Sequence, residues 1–191
     1  MTSFEELTRK IAVRKRIPLI RAAYLVLDQL TIEEVEDGHV CQKGCSACCN
    51  QMIFCSSMEI AEIMVQIKKI PRERRSKLIE RLKVAAREWQ DHPSAAGEDQ
   101  LDVAAKWMGM PCPFLDEAGV CTIYEARPID CRGHFSHVLC AVPDQSGSFQ
   151  TQASIDASGY IVSIQEKSRQ PIGVTPIRHW LAECFRTGLF K

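Results

Sequence analysis

Seven of the ten cysteines in this chain of 191 residues fall into two blocks, Cys41-x3-Cys45-x2-Cys48-Cys49 and Cys112-Pro113-x7-Cys121-x9-Cys131. Thiolates are soft donors that hold zinc or iron–sulfur clusters, and short spacings let several of them converge on one ion. If the first block is helical, Cys45 shares a face with Cys48 at i,i+3 and with Cys49 at i,i+4, which makes Cys45 the pivot. Gly44 breaks regular structure just before it and leaves Cys41 on a loop able to fold over. Cys48 and Cys49 are adjacent and point about 100° apart on a helix, so one ion does not comfortably take both. A tetrahedral site could use Cys41, Cys45 and Cys48 with one thiolate from the second block. The doublet then implies a second metal, a bridging thiolate or a spare.

In the second block, Cys112-Pro113 sets a thiol before a residue whose nitrogen cannot donate, a pairing that also closes bacterial ferredoxin cluster runs. Arg127 and Arg132 flank Cys131 and are expected to offset the negative charge of four thiolates around Zn²⁺ or a [4Fe-4S] core. The competing readings of the set are a cysteine-rich apolar core and a reversible dithiol switch, and Cys-x2-Cys-Cys with Cys-Pro fits a core poorly. Cys184 lies on the inward face of the last helix and reads as core. Cys55 and Cys140 have no assigned role. His134, His137 and Cys140 follow Cys131 in steps of three; on a helix at most two could face one ion, so the histidines read as hydrogen-bonding support. His39, His92 and His179 read as surface or local hydrogen-bonding groups.

The elements that must position these thiols are mostly helical by pattern. Residues 3–16 carry Phe4, Leu7 and Ile11 on one face; Pro18 interrupts, and 19–30 continues as an apolar helix closed by acidic residues up to Asp37 and by Gly38. Ser56 and Glu59 form a capping box opening a helix through Ile60, Ile63, Met64 and Ile67. Pro71 starts the next, with Leu78, Leu82, Ala85, Ala86 and Trp89 inward and the basic run Arg72–Arg75 as a solvated face. Residues 91–99 form a loop, and Gln100 to Met108 a short helix. Residues 111–142 look irregular. Turn signals at Asp144, Ser146-Gly147 and Ser158-Gly159 surround a possible strand, Tyr160 to Ile164. Thr175-Pro176 starts a last helix with Ile177, Leu181 and Phe185 inward, stopped by Gly188.

Composition is that of an ordinary globular chain, 46% hydrophobic and 25% charged, with 24 basic and 24 acidic residues. This balance gives no support for a nucleic-acid or anionic-membrane partner. No stretch approaches the ~20 apolar residues of a membrane span, and the N-terminus lacks the features of a signal peptide. The expected location is cytoplasmic, where thiols stay reduced and cysteines at ligand spacing bind metal more often than they form bridges.

The linked elements Cys41-Gln-Lys-Gly-Cys45-Ser-Ala-Cys48-Cys49, Cys112-Pro113-Phe-Leu115 and Cys121-Thr-Ile123-Tyr124-Glu-Ala-Arg127-Pro128-Ile-Asp-Cys131-Arg132 resemble the YkgJ-type cysteine-cluster family over about residues 41–134. That resemblance implies binding of zinc or an iron–sulfur cluster by Cys41, Cys45, Cys48, Cys49, Cys112, Cys121 and Cys131. Flagellin lysine-N-methylases have a similar cysteine arrangement, which implies that some relatives are enzymes. This chain is short for one, and no Gly-rich S-adenosylmethionine loop follows a strand. Cys41-x3-Cys45-x2-Cys48 reproduces radical-enzyme spacing without the βα repeats of that fold.

The reading is a single, mainly α-helical domain spanning 1–191 whose irregular, cysteine-rich centre folds around metal. Its functional classes are a metal- or cluster-binding protein with a structural or carried ion, a redox or group-transfer enzyme, and a zinc-stabilised interaction module. The metal ion is the one partner the sequence names; no protein partner can be read from it.

Overall fold

Short apolar stripes broken by Pro, Gly and cap residues give eight α-helices among the described residues of a computed structural model. It describes residues 3–35, 41, 44–92, 99–138, 140, 148–168 and 174–190. Helix α1 (Phe4–Lys15) opens with a capping box between Ser3 and Glu6 and ends where Arg16 turns left-handed at φ 54°. Helix α2 (Leu19–Val35) starts afresh after Pro18 and runs past residue 30 to Val35. Helices α3 (Ser57–Lys69) and α4 (Arg72–Asp91) meet at Ile70-Pro71, and the Ser56–Glu59 capping box is present as expected. Helix α5 (Gln100–Lys106) is short; α6 (Ile129–Arg132) is one turn; α7 (Gln152–Ser168) and α8 (Ile177–Arg186) complete the set.

Two helical groups carry the cores. Phe4, Ile20, Ala23, Leu27, Ala157 and Ile161 join α1, α2 and α7. Ile63, Ile67, Leu78, Leu82, Ile177 and Leu181 join α3, α4 and α8, and Phe114, Ile123 and Ala126 from the cysteine-rich segment pack into the same core. Strand content is slight. Residues β1 (Phe54–Cys55) and β4 (Thr175–Pro176) pair antiparallel, with Phe54 opposite Pro176, and β2 (His134–Ser136) pairs antiparallel with β3 (Ser148–Gln150). No helix among the described residues is long and apolar enough to cross a membrane.

Two expectations fail here. The stretch Tyr160 to Ile164 is not a strand but the middle of α7, and Ser158-Gly159 is not a turn. Ala153, Ala157, Tyr160, Ile161 and Ile164 recur at helical spacing and bury against α2, so tertiary packing outweighs the β preference of Tyr, Ile and Val. His134 and His137 do not lie on a helix either: His134 sits in β2 opposite Gln150. His39, Gly38, Asp144, Ser146-Gly147 and most of the 91–99 loop lie outside the described residues.

Buried polar anchors tie the two groups together through the segment that carries Cys131. Glu59, 2% exposed, accepts from the Ser56 N–H at 2.7 Å, the Ser56 hydroxyl at 2.8 Å and the Ile129 N–H at 2.7 Å. One carboxylate thus caps α3 and pins the start of α6. Gly133 follows α6 where that segment meets α7; a Cβ there would stand 2.0 Å from Ser154 Cβ, so only glycine permits the approach.

Candidate metal centre

The first cysteine block does not form an α-helix. Gly44 takes φ 98°, Cys45 and Ser46 are irregular, and Ala47–Asn50 makes a single 3₁₀ turn. The Asn50 amide donates to the carbonyls of Ser46 at 3.1 Å and Ala47 at 3.3 Å, so its side chain takes acceptors that a longer helix would have used. Cys45 therefore precedes the turn and is exposed, and the i,i+3 and i,i+4 geometry expected of it does not apply. Cys48 and Cys49, inside the turn, both line one cavity. Adjacent side chains diverge by about 120° on a 3₁₀ turn, so both reach the same cavity because its wall curves around the turn.

The second block docks on the first through main chain. The Cys112 N–H donates to Cys49 O at 2.6 Å, and the Gly109 N–H to Asn50 O at 2.7 Å. From Cys112 the chain doubles back to Cys121 through a turn built on Asp116, whose carboxylate accepts from the N–H groups of Ala118 and Val120. Gly119 supplies φ 74° there. A β-bridge pairs Leu115 with Cys121, and both the amide and the hydroxyl of Thr122 donate to Phe114 O at 2.8 Å. Cys131 rides on α6, which is fixed by Glu59 and by Asp130, whose carboxylate accepts from the Phe54 N–H at 3.0 Å.

These supports bring Cys45, Cys48, Cys49, Cys112, Cys121 and Cys131 to the wall of one cavity of about 70 Å³, otherwise lined mainly by apolar side chains such as Ile53, Phe114, Ile123 and Ile177. Burial pushes the Cys112 thiol up to about 12 and raises Cys121 and Cys131 as well. Within the doublet, the Cys49 S–H bonded to the Cys48 sulfur brings Cys48 down to about 7 and pushes Cys49 up. Charge on Cys48 raises Cys41, Cys49, Cys112, Cys121 and Cys131 alike. Cys41 does not line the cavity; its sulfur accepts from the Ser136 N–H at 3.2 Å beside β2. Among the described residues, no three His, Cys, Asp or Glu side chains stand close enough to hold one ion as they are. The donor set fits zinc or an iron–sulfur cluster in type and number, and the sulfurs would have to close inward around it.

Arg127 lines the cavity, lowers Cys48 and Cys121, and stacks over Tyr124 at 4.4 Å. Arg132, expected to do the same, faces away. Its guanidinium grips both oxygens of Asp28 on α2 at 2.7 and 2.8 Å, donates to the carbonyls of Arg127 and Glu125, and lies 4.1 Å over the Tyr24 ring. It is a clamp between helices, because the fork geometry of arginine suits a carboxylate better than a diffuse sulfur charge. The cation missed in the sequence is Arg178 on α8. It pairs with Glu88, donates to Pro111 O at 2.8 Å, stacks over Trp107 and lowers Cys112. No motif marks it, since it reaches Cys112 only through the packing of α8 on α4. Cys55 and Cys184 are buried in the α3–α4–α8 core and do not line the cavity. Cys140 lies beside Val138, and His137 stacks on Phe149.

A helical scaffold around a cavity walled by thiols defines a class of cysteine-cluster chelating domains. The model of the CxxCxxCC family, described as a "putative zinc- or iron-chelating domain", matches residues 40–155, and the chain belongs to that family. No curated protein and no solved structure matches it.

Proposed function

We propose that the cavity is an all-thiolate metal centre for zinc or an iron–sulfur cluster, with the ion structural or carried, and with ligands drawn from Cys45, Cys48, Cys49, Cys112, Cys121 and Cys131. One observation carries this reading: six cysteines from blocks more than sixty residues apart line one apolar cavity, while Cys55 and Cys184 serve the core elsewhere. An apolar wall excludes water and strengthens each bond to the metal, and Arg127 and Arg178 offset the charge the thiolates carry. Four thiolates complete a tetrahedral site; the two that remain can bridge or exchange. Cys41, the seventh thiol, accepts from the Ser136 N–H and does not line this wall.

Metal and sulfide analysis of anaerobically purified protein, with its absorption spectrum, tests this. Iron with sulfide and a broad visible band identifies a cluster; stoichiometric zinc in a colourless sample identifies a zinc site. Cys48→Ser and Cys112→Ser should lose the metal and Cys184→Ser should keep it. Full retention in both Cys48→Ser and Cys112→Ser overturns the proposal.

A further inference from the structure

A second hollow, of about 510 Å³, lies where α3 turns into α4 and the Asp116 turn faces them. Its wall carries Lys69, Arg74, Lys77 and Arg81 against Asp116 and Glu117, an excess of two positive charges in a chain whose totals balance. Arg74, Lys77 and Arg81 are spaced three and four residues apart on α4, so the helix stacks three like charges on one face, which is unfavourable by itself. None of the four cations makes an ion pair or hydrogen bond among the described residues, whereas Lys83 nearby is paired with Glu80. Arg81 Nε is buried without a hydrogen-bond partner. That Nε is closed to the hollow, and it is the terminal nitrogens of Arg81 that are left to meet an oxyanion there. Arg74 and Arg81 do act electrostatically on Asp116, but its carboxylate is engaged by the Ala118 and Val120 amides.

We infer that this hollow binds a small phosphate-ester anion of nucleotide size. Its volume falls within the range of about 300–1,000 Å³ typical of small-molecule sites. Arg74, Lys77 and Arg81 receive the phosphate oxygens through their exposed amino and terminal guanidinium nitrogens, and Ile70 and Leu78 offer an apolar floor to the organic part. The site is distinct from the cysteine cavity and does not depend on the metal reading, although the Asp116 turn that walls it also connects Cys112 to Cys121.

Calorimetric titration of the full chain, as purified, with AMP tests the inference. The expected result is saturable binding of AMP at one site per chain, weakened about tenfold by Arg81→Gln and by Arg74→Gln. Arg72→Gln, exposed on the same helix but outside the hollow, should leave it within about twofold, as fits a contact that acts locally. Arg74 is exposed, so its variant is expected to keep the wild-type melting curve and circular dichroism and to report on binding alone. Absence of saturable AMP binding overturns the site. So does equal weakening by Arg72→Gln, or preferential binding of a single-stranded oligonucleotide that all three variants weaken equally, which would mark a general basic surface.

Discussion

Replacing Arg132 with glutamine removes a clamp that joins α2 to the segment leading into Cys131. The side chain is 5% exposed and its partner Asp28 42% exposed. Breaking a fully buried pair from one side costs about 3–5 kcal/mol, but Asp28 can rehydrate, so about 1–1.5 kcal/mol is the appropriate share for the pair. The carbonyls of Glu125 and Arg127 lose charged donors at 2.5 and 2.9 Å, and the Tyr24 ring loses its cation. Those losses add about 1–2 kcal/mol together. The expected destabilisation is about 3 kcal/mol, read by urea unfolding at neutral pH with unchanged slope, and as a fall in Tm of about 6–12 °C. Arg132→Lys keeps charge and stem but not the fork, and should lose about 2 kcal/mol. The loss should appear equally in metal-loaded and chelator-treated protein, and a cycle with Asp28→Asn should show coupling of about 1 kcal/mol. An Arg132→Gln protein within about 0.5 kcal/mol of wild type when metal-free, yet weaker in metal retention, refutes the clamp and restores Arg132 to the thiolates.

Gly133→Ala forces the contact with Ser154 apart and should cost about 1–3 kcal/mol, visible in thermal melts; the double variant with Ser154→Gly should recover most of it. Burial raises the Glu59 carboxyl above its ordinary value, so its contribution is complete below about pH 4.5 and falls as pH rises through the folded-state value. Glu59→Gln keeps the capping-box residue class but one oxygen cannot serve both Ser56 and Ile129, so it should cost about 1–3 kcal/mol. Its deficit relative to wild type should shrink as pH rises through that window; a deficit that grows instead contradicts the assignment. Arg178→Met should destabilise by about 2 kcal/mol and slow metal loading, because Cys112 loses the cation that favours its thiolate. Unchanged loading kinetics, followed by absorbance or a zinc indicator, would remove Arg178 from the centre.

The local signals in this sequence were strong where chemistry is local. The Ser56–Glu59 box and the Gly188 stop rest on interactions within a few residues, and the inward face Leu78–Leu82–Ala85–Ala86 and the core position of Cys184 follow from helical periodicity; each is present in the fold. Tyr160–Ile164 was misread because a short run of β-favouring residues does not reveal that Ala153 and Ala157, a turn or two earlier, already complete a helical face. Cys45 does not lie on the α-helix its spacing suggested, because spacing alone cannot tell an α-helix from a 3₁₀ turn stopped by an asparagine side chain.

The pattern along the chain suffices to read a mainly helical protein, two cysteine blocks and membership of a family described as a "putative zinc- or iron-chelating domain". Periodicity, capping and ligand type need no distant partner. Folding alone sets Cys41 against Ser136, Arg132 against Asp28 and Arg178 near Cys112, and turns Cys45, Cys48 and Cys49 toward one cavity. Those placements depend on which way a side chain points once α2 and α8 have packed, and they join residues up to about a hundred positions apart. Such contacts are selected by burial and charge in the folded core and leave no spacing in the chain to read.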